Sequence, residues 1–226
     1  MSVGAILVCA GKGERLGLGV EKALVPLGGR PLFVWGLEAL QKTQAVHAIV
    51  VVGPVKRLQD AALAAGVGVN KVAAWAEGGR ERQDSVAKGL AALPPECDVV
   101  LVHDSARALA SPELIARVAA DAMTHGAAIA AIPLADTLKR ATLQNVDTTV
   151  PRAGLWCAQT PQGFRRDWLE AAHALASGKA TDDAALIEAL GKPVHLTPGD
   201  VRNFKITTTE DLELAEAWVQ RMGARA

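Results

Sequence analysis

The feature that most constrains the fold is a set of short apolar runs that do not alternate. Val3–Val8, Ala48–Val52, Val99–Val102 and Ala128–Ile132 place valine, isoleucine, leucine and alanine at consecutive positions, broken only by Gly4. A strand with one wet face alternates apolar with polar side chains, whereas a strand that is apolar throughout needs cover on both faces. Such strands build parallel sheets, and each parallel connection needs a crossover segment. Helical spacing occurs where the crossovers are required, over Pro31–Lys42, Val55–Ala65, Asp84–Leu93 and Ser111–His125. Ser111 suits the N-cap of the last of these, with Pro112 in its first turn. The order β-α-β-α predicts an α/β fold with a mostly parallel sheet and helices on both faces.

After about Pro133 the rhythm changes to the polar, Thr-rich stretch ADTLKRATLQNVDTTVPRAGLW, which predicts an extended β-hairpin or arm. An arm of this kind buries little against its own domain, so a second copy of the chain is the expected partner surface. Helical spacing returns at Arg165–Ala176 and Asp182–Leu190. Short strands are expected at Pro193–Leu196 and Asn203–Thr207, then a closing helix from Thr208 with Leu212, Ala215, Val219 and Met222 on one stripe. No linker or internal repeat divides the chain, so residues 1–226 read as one domain with 135–155 as a protruding arm. A chain of 226 residues can bury roughly 70–75% of its unfolded surface in one core.

Charge bounds the ligand. Twenty-four basic and twenty-four acidic side chains cancel, which removes the long-range attraction that nucleic-acid and anionic-membrane binders rely on. Phosphate recognition must then come from a few focused cations, and the expected ligand is small. Cys9, Cys97 and Cys157 have no C-x-x-C spacing and read as buried thiols in a reducing cytosol. The amino terminus lacks a basic n-region, and no apolar run reaches the ~18 residues of a membrane span; a cytoplasmic location is expected.

Chemistry concentrates at three places. The run Cys9-Ala-Gly-Lys-Gly-Glu-Arg-Leu-Gly17, closed by Lys22, follows the first buried strand. Gly11 and Gly13 let backbone N–H groups approach anionic oxygens, and Arg15 and Lys22 supply fixed positive charge. The dinucleotide fingerprint fails because position 16 is leucine, and no P-loop pattern occurs. A glycine-rich loop of nucleotidyltransferase type remains, beside the simpler reading of a structural turn. The second place is Gly78-Gly-Arg-Glu-Arg-Gln-Asp-Ser-Val86, where exposed backbone and the Ser85 hydroxyl could read a base edge, unless the segment is only a charged helix start. The third is Val99-Val-Leu-Val-His-Asp-Ser-Ala-Arg107, an apolar strand ending in polar groups, and strand carboxyl ends are where open α/β sheets bind ligands. Asp104 could approach Mg²⁺ or a sugar hydroxyl and Arg107 a phosphate; the competing reading is an Asp104–Arg107 ion pair. His103 reads as a satisfied core histidine.

Taken in order, G-x-G-x-R…K, GGRERQDSV, VHDSAR, DTLKR, R…W…QTPQ-F, TDD and NFKIT resemble the bacterial 2-C-methyl-D-erythritol 4-phosphate cytidylyltransferases of non-mevalonate isoprenoid synthesis, from about Val3 to Ala215. The resemblance implies a Rossmann-like nucleotidyltransferase fold. It also implies a reaction in which the phosphate of 2-C-methyl-D-erythritol 4-phosphate attacks the α-phosphorus of CTP in line and releases pyrophosphate. By that resemblance Arg15 and Lys22 stabilise the transition state, and Arg152 and Lys205 hold the attacking phosphate. Ala10, Gly11, Gly13, Gly79 and Ser85 match positions on the CTP side. Asp104, Arg107, Thr137, Arg152, Thr160, Thr181 and Lys205 match the methylerythritol phosphate side. Mg²⁺ is expected on the CTP phosphates, with no metal cage of protein side chains. The resemblance further implies a homodimer in which the 135–155 arm carries Thr137 and Arg152 into the neighbouring subunit's site.

Three positions depart from the family pattern: Cys9 stands where alanine is usual, Glu21 where proline is common before the lysine, and Ala108 where proline is typical. Glu21 places a negative charge beside Lys22. Other nucleotidyltransferases of the same fold share the Lys22–Leu32 stretch, but VHDSAR, DTLKR and NFKIT argue against molybdopterin or sugar 1-phosphate as acceptor. Ribitol 5-phosphate cytidylyltransferase and a catalytically idle nucleotide binder are the remaining alternatives.

Overall fold

The computed structural model describes residues 1–11, 21–176 and 178–223. Its centre is a seven-stranded sheet made from β1 (Ser2–Val8), β4 (Val46–Val52), β5 (Val72–Ala76), β6 (Cys97–Asp104), β7 (Ala127–Pro133), β10 (Trp156–Arg165) and β11 (His195–Pro198), in the order β11-β7-β10-β6-β1-β4-β5. Six strands run parallel and β10 runs antiparallel between β6 and β7. The apolar runs are continuous because the sheet has a core on each face. Val3, Ala5 and Leu7 of β1 point to one core with Ile49, Val51, Val99 and Leu101. Ile6 points to the other with Val50, Val52, Val100 and Val102.

Helices close both faces. Phe33, Val34 and Leu37 of α1 (Leu32–Lys42), Leu58 of α2 (Val55–Ala64), and Leu114, Ile115 and Val118 of α4 (Pro112–His125) fill the first core. Val86 and Leu90 of α3 (Arg82–Ala92), Leu169 of α5 (Arg166–Leu175) and Ile187 of α6 (Asp183–Ala189) fill the second. As the sequence predicts, Ser111 caps α4, its side chain accepting the Leu114 N–H at 3.2 Å, and Pro112 opens the helix. The helix stops at Gly126, whose φ of 85° is one that L side chains rarely adopt. A β-carbon there would also meet the Trp168 ring at 2.5 Å. A third cluster, from Val25, Leu27, Leu32, Ala108, Ile206 and Ala215, seats α7 (Thr209–Gly223) against the small hairpin of β2 (Pro26–Leu27) and β3 (Arg30–Pro31). Leu212 and Val219 join Ala215 in that contact, as their stripe predicts.

The polar stretch after Pro133 forms a two-stranded hairpin, β8 (Leu138–Thr142) with β9 (Asn145–Val150), whose side chains are almost all exposed. Leu143 at its tip is 95% exposed and Trp156 at its base 45%.

Some expectations need correction. Asn203–Thr207 is not a strand: the Asn203 side-chain amide donates to the Thr160 carbonyl (2.8 Å) and Gln159 Oε1 (3.2 Å). The Ile206 N–H makes a single backbone contact with Ala106 O in place of a ladder. The strand expected at Pro193–Leu196 lies two residues later, at His195–Pro198. Strands β5 and β10 are additions to the sequence expectation. Cys9 and Cys97 are buried thiols, but Cys157 is exposed.

Candidate active site

The ends of β1 and β6 define the site. These strands are adjacent in the sheet, and the chain continues from β1 to β4 on one side and only later adds β6 on the other. That reversal leaves a crevice at the carboxyl ends of the strands, where ligands bind in open α/β sheets. Ala10 and Gly11 leave β1 into this crevice and Asp104 closes β6 beneath it.

Two cavities adjoin there. The larger, about 450 Å³, is lined by Ala10, Gly11, Lys22, Gly79 and Ser85 among others. The smaller, about 240 Å³, is lined by Arg107, Thr160, Thr181 and their neighbours. Arg82, Asp104 and Lys205 line both, so these three side chains form the junction.

The junction is one charge network. Asp104 accepts from Arg82 Nε at 3.0 Å on one oxygen and from Lys205 Nζ at 2.7 Å on the other. Arg82 also donates to Asp183 at 2.7 Å, and the Asp183 carboxylate lies 3.4 Å from His173 Nε2. Burial alone would raise the Asp104 pKa, but Arg82 and Lys205 overturn that and hold the carboxyl well below the usual range. Burial works likewise against the Arg82 charge, and Asp104 and Asp183 outweigh it, so its pKa rises. Asp104 is therefore a fixed anion that holds both cations at the junction of the two cavities. Lys205 owes its place to the turn before α7, where Asp211 accepts from the Thr207 and Thr208 N–H groups at 2.7 and 2.9 Å.

The remaining predicted residues take up separate positions around the cavities and on the arm. The Gly78–Gly79 turn lies against the start of α3, where Glu81 and Asp84 form a reciprocal capping box. The Ser85 hydroxyl accepts from the Gly79 N–H at 2.9 Å and donates to Glu81 O at 3.1 Å; it holds the loop in place, and the exposed backbone faces the cavity. No side chain fits at Gly79, since a β-carbon would stand 2.8 Å from the Asp84 carbonyl carbon and 2.9 Å from Ser85 N. Thr160 is also committed internally, accepting from the Asp104 N–H at 3.0 Å and lying 3.1 Å from His103 Nδ1. His103 is buried as expected but not fully satisfied, its Nε2 having no hydrogen-bond partner among the described residues, and burial pulls its pKa down to about 4. Arg107 does not pair with Asp104; it donates to the carbonyls of Asn203 (2.7 Å) and Ala158 (3.2 Å), beside the smaller cavity. Thr137 and Arg152 lie on the exposed arm and line neither cavity of their own chain, Arg152 donating to Ala135 O. Gly13 and Arg15 lie outside the described residues.

Sequence reasoning missed Arg82 as a site residue and Asp183 as its partner. Arg82 reads as part of a charged helix start, and its two carboxylate partners lie 22 and 101 residues away. Glu21, the departure beside Lys22, is engaged by the Arg57 guanidinium.

A mostly parallel α/β sheet with a glycine turn and lysine at its first strand end, facing a second polar cavity across shared cations, defines a nucleotidyltransferase-like protein. The family model for IspD, 2-C-methyl-D-erythritol 4-phosphate cytidylyltransferase, matches residues 3–221, and the chain belongs to that family. Curated relatives carrying that name include one from Gloeobacter violaceus, 45% identical over 94% of both chains. Another, from Frankia casuarinae, is 48% identical over 97% of this chain and 82% of the relative. Among solved structures, 2-C-methyl-D-erythritol 4-phosphate cytidylyltransferase from Thermus thermophilus superposes with a TM-score of 0.79 at 37% identity, covering 97% of this chain and all of that one. The 4-diphosphocytidyl-2C-methyl-D-erythritol synthase of Anaerococcus prevotii gives a TM-score of 0.82 at 28% identity, over 97% of this chain and 98% of that one. No helix among the described residues is long and apolar enough to cross a membrane.

Proposed function

We propose that the chain joins CTP and 2-C-methyl-D-erythritol 4-phosphate into 4-diphosphocytidyl-2-C-methyl-D-erythritol, with release of pyrophosphate. Family membership supports the reaction, and the observation that carries it in this molecule is the junction of two cavities. The larger takes CTP and the smaller takes the polyol phosphate, so the acceptor phosphate and the α-phosphorus meet over Lys205 and Arg82. Two anions that repel must be held in line, and fixed cations lower that cost without forming a covalent intermediate.

In this reading Ala10, Gly11, Gly13 and Gly79 offer backbone groups to CTP, and Ser85 fixes the Gly79 turn that faces the base. Lys22 and Arg15 stabilise charge on the α-phosphate and the leaving pyrophosphate. Lys205 and Arg152 hold the attacking phosphate. Arg107, Thr160 and Thr181 shape the acceptor cavity, and Asp104 keeps Lys205 in place. CTP enters as its magnesium complex, which screens charge on the triphosphate. The residues present suit that division, because Asp104, the carboxylate both cavities share, already holds two cations.

The chain functions as one domain over 1–226, as a cytoplasmic homodimer whose 135–155 arm delivers Thr137 and Arg152 to the neighbouring site. The exposed, isolated hairpin with Leu143 and Trp156 unburied supports that assembly, since a lone two-stranded hairpin is marginal in water.

Pyrophosphate release from each of the four ribonucleoside triphosphates with Mg²⁺, with methylerythritol phosphate, ribitol 5-phosphate or no acceptor, tests the proposal. Release only with CTP and methylerythritol phosphate is expected. Release with ribitol 5-phosphate instead would reassign the acceptor, and none with any pair would leave a nucleotide binder. Lys22→Ala should lower kcat by about 100-fold, equivalent to ~3 kcal/mol of lost transition-state stabilisation, while CTP binding falls far less.

A further inference from the structure

Away from both cavities, helix α4 and the edge strand β11 bring two imidazoles and a carboxylate together. Asp121 and His125 stand one helical turn apart near the end of α4, and His195 opens β11. The His125 and His195 rings are stacked, with centroids 4.0 Å apart and planes 12° apart. His195 Nε2 lies 3.9 Å from Asp121 Oδ2, and one ligating atom from each of the three residues lies within 4.8 Å of the others. The buried Thr197 hydroxyl donates to Asp121 Oδ2 at 2.6 Å and fixes the carboxylate.

We propose that Asp121, His125 and His195 form a site for a divalent transition metal, with zinc the best fit, that ties the edge strand β11 to α4. Two imidazoles and one carboxylate are a donor set zinc accepts at ligand distances of about 2.0–2.2 Å with water in the fourth position. Ligand atoms in such a tetrahedron lie roughly 3 to 3.5 Å apart, and imidazole lone pairs lie in the ring planes, so metal binding requires the two rings to turn out of their stack until both donor nitrogens face one point. The hydrogen bond from Thr197 is the kind of outer contact that orients a ligating carboxylate. His125 is the last residue of α4, and a helix carboxyl terminus favours positive charge. Arg117, one turn before Asp121, is a nearby cation on α4, and it is turned to the Pro198 carbonyl at 3.3 Å. Magnesium prefers all-oxygen shells, so the ion that accompanies CTP does not compete for this site. Among the described residues strand β11 pairs only with β7, and residues 199–204 lead from it to Lys205. A metal staple here secures the root of that segment.

The test uses the full chain in a Cys157→Ser background, which removes the exposed thiol as a rival ligand. After chelator treatment, zinc titration by calorimetry should give one site per chain. The melting midpoint should rise by about 5 °C or more at a hundredfold excess over Kd, with no rise from magnesium at the same concentration. His125→Ala and His195→Ala should each weaken zinc binding at least about tenfold, with metal-free melting within about 1 °C of the parent and cytidylyl transfer unchanged. Cobalt supplies a reading free of variants: intense visible bands of tetrahedral Co²⁺ are expected in the parent. No saturable zinc binding, binding that survives in the His125→Ala/His195→Ala double variant, or a weak octahedral cobalt spectrum would each overturn the proposal.

Discussion

Replacing Arg82 with methionine tests the charge network most directly, because it removes a cation from between two carboxylates while keeping an unbranched side chain in place. Asp183 is 1% exposed and Arg82 donates to it at 2.7 Å. Breaking a buried pair on one side leaves an uncompensated charge and costs about 3–5 kcal/mol. One feature holds the cost near the lower end: Arg82 is 27% exposed. A loss of about 3 kcal/mol in a chain of this size lowers the melting midpoint by roughly 6–12 °C. Calorimetry of Arg82→Met, Asp183→Asn and the double variant supplies a thermodynamic cycle, in which the double variant should lose about 1–3 kcal/mol less than the two single losses added together. Cytidylyl transfer measured well below the midpoint should also fall, since Asp104 then answers to Lys205 alone and draws it toward the floor of the crevice. A midpoint within about 1 °C of the parent, or strictly additive losses, would refute the reasoning that the network is a coupled unit.

Other consequences are equally accessible. Gly79→Ala should raise the KM for CTP more than about tenfold with little change for the polyol phosphate, because a β-carbon meets Asp84 and Ser85 backbone atoms; equal effects on both substrates would count against placing CTP in the larger cavity. If the arm crosses between subunits, inactive Lys22→Ala and Arg152→Ala chains, dissociated and reassociated as an equimolar mixture, should recover about one quarter of parental activity through heterodimers with one intact site; no recovery would confine each site to one chain. His103 titrates near 4 in the fold against 6.5 for a free histidine, so the unfolded chain takes up the proton first and stability drops as pH falls from about 6.5 to 4. The full effect is about 3 kcal/mol, it should be missing from His103→Gln, and denaturant midpoints at pH 7 and 4 give the comparison. Asp104 acts lower on the scale: its stabilisation is present above its unfolded value of 3.8 and is lost as pH falls through its depressed folded value, and because its charge also supports the proton on His103, Asp104→Asn should deepen the His103-dependent loss of stability toward pH 4.

What was legible in the sequence follows a physical line. Strands β1, β4, β6 and β7 announce themselves because burial on both faces demands unbroken apolar runs. Strand β10 does not, because it carries Gln159, Thr160 and Gln162 into the interior. Those side chains are tolerated there because distant groups complete them: Asn203 for Gln159, the Asp104 N–H for Thr160, Asp182 for Gln162. The same bonds make Asn203–Thr207 a pinned loop where a strand is expected. Candidate site residues on backbone turns that line the larger cavity, such as Gly11 and Gly79, can be read locally. Arg82 cannot, since its role is set by Asp104 and Asp183, which only the sheet topology brings to it.

The departure at Glu21 is resolved by the same topology. Under the role proposed for Lys22, an acid beside it in sequence should draw the lysine off a triphosphate. In the fold the Glu21 carboxylate instead faces Arg57 on α2, and Glu21 carries the extended backbone (φ −58°, ψ 135°) that leads into the turn at Lys22–Leu24. That φ is the value a proline would impose, so the glutamate reaches by ion pairing the conformation that the ring would have set covalently. Its charge is met by a guanidinium from another element. The Arg57–Glu21 pair also links α2 to the segment that presents Lys22 to the larger cavity, which makes a helix remote from the chemistry a determinant of where that lysine starts.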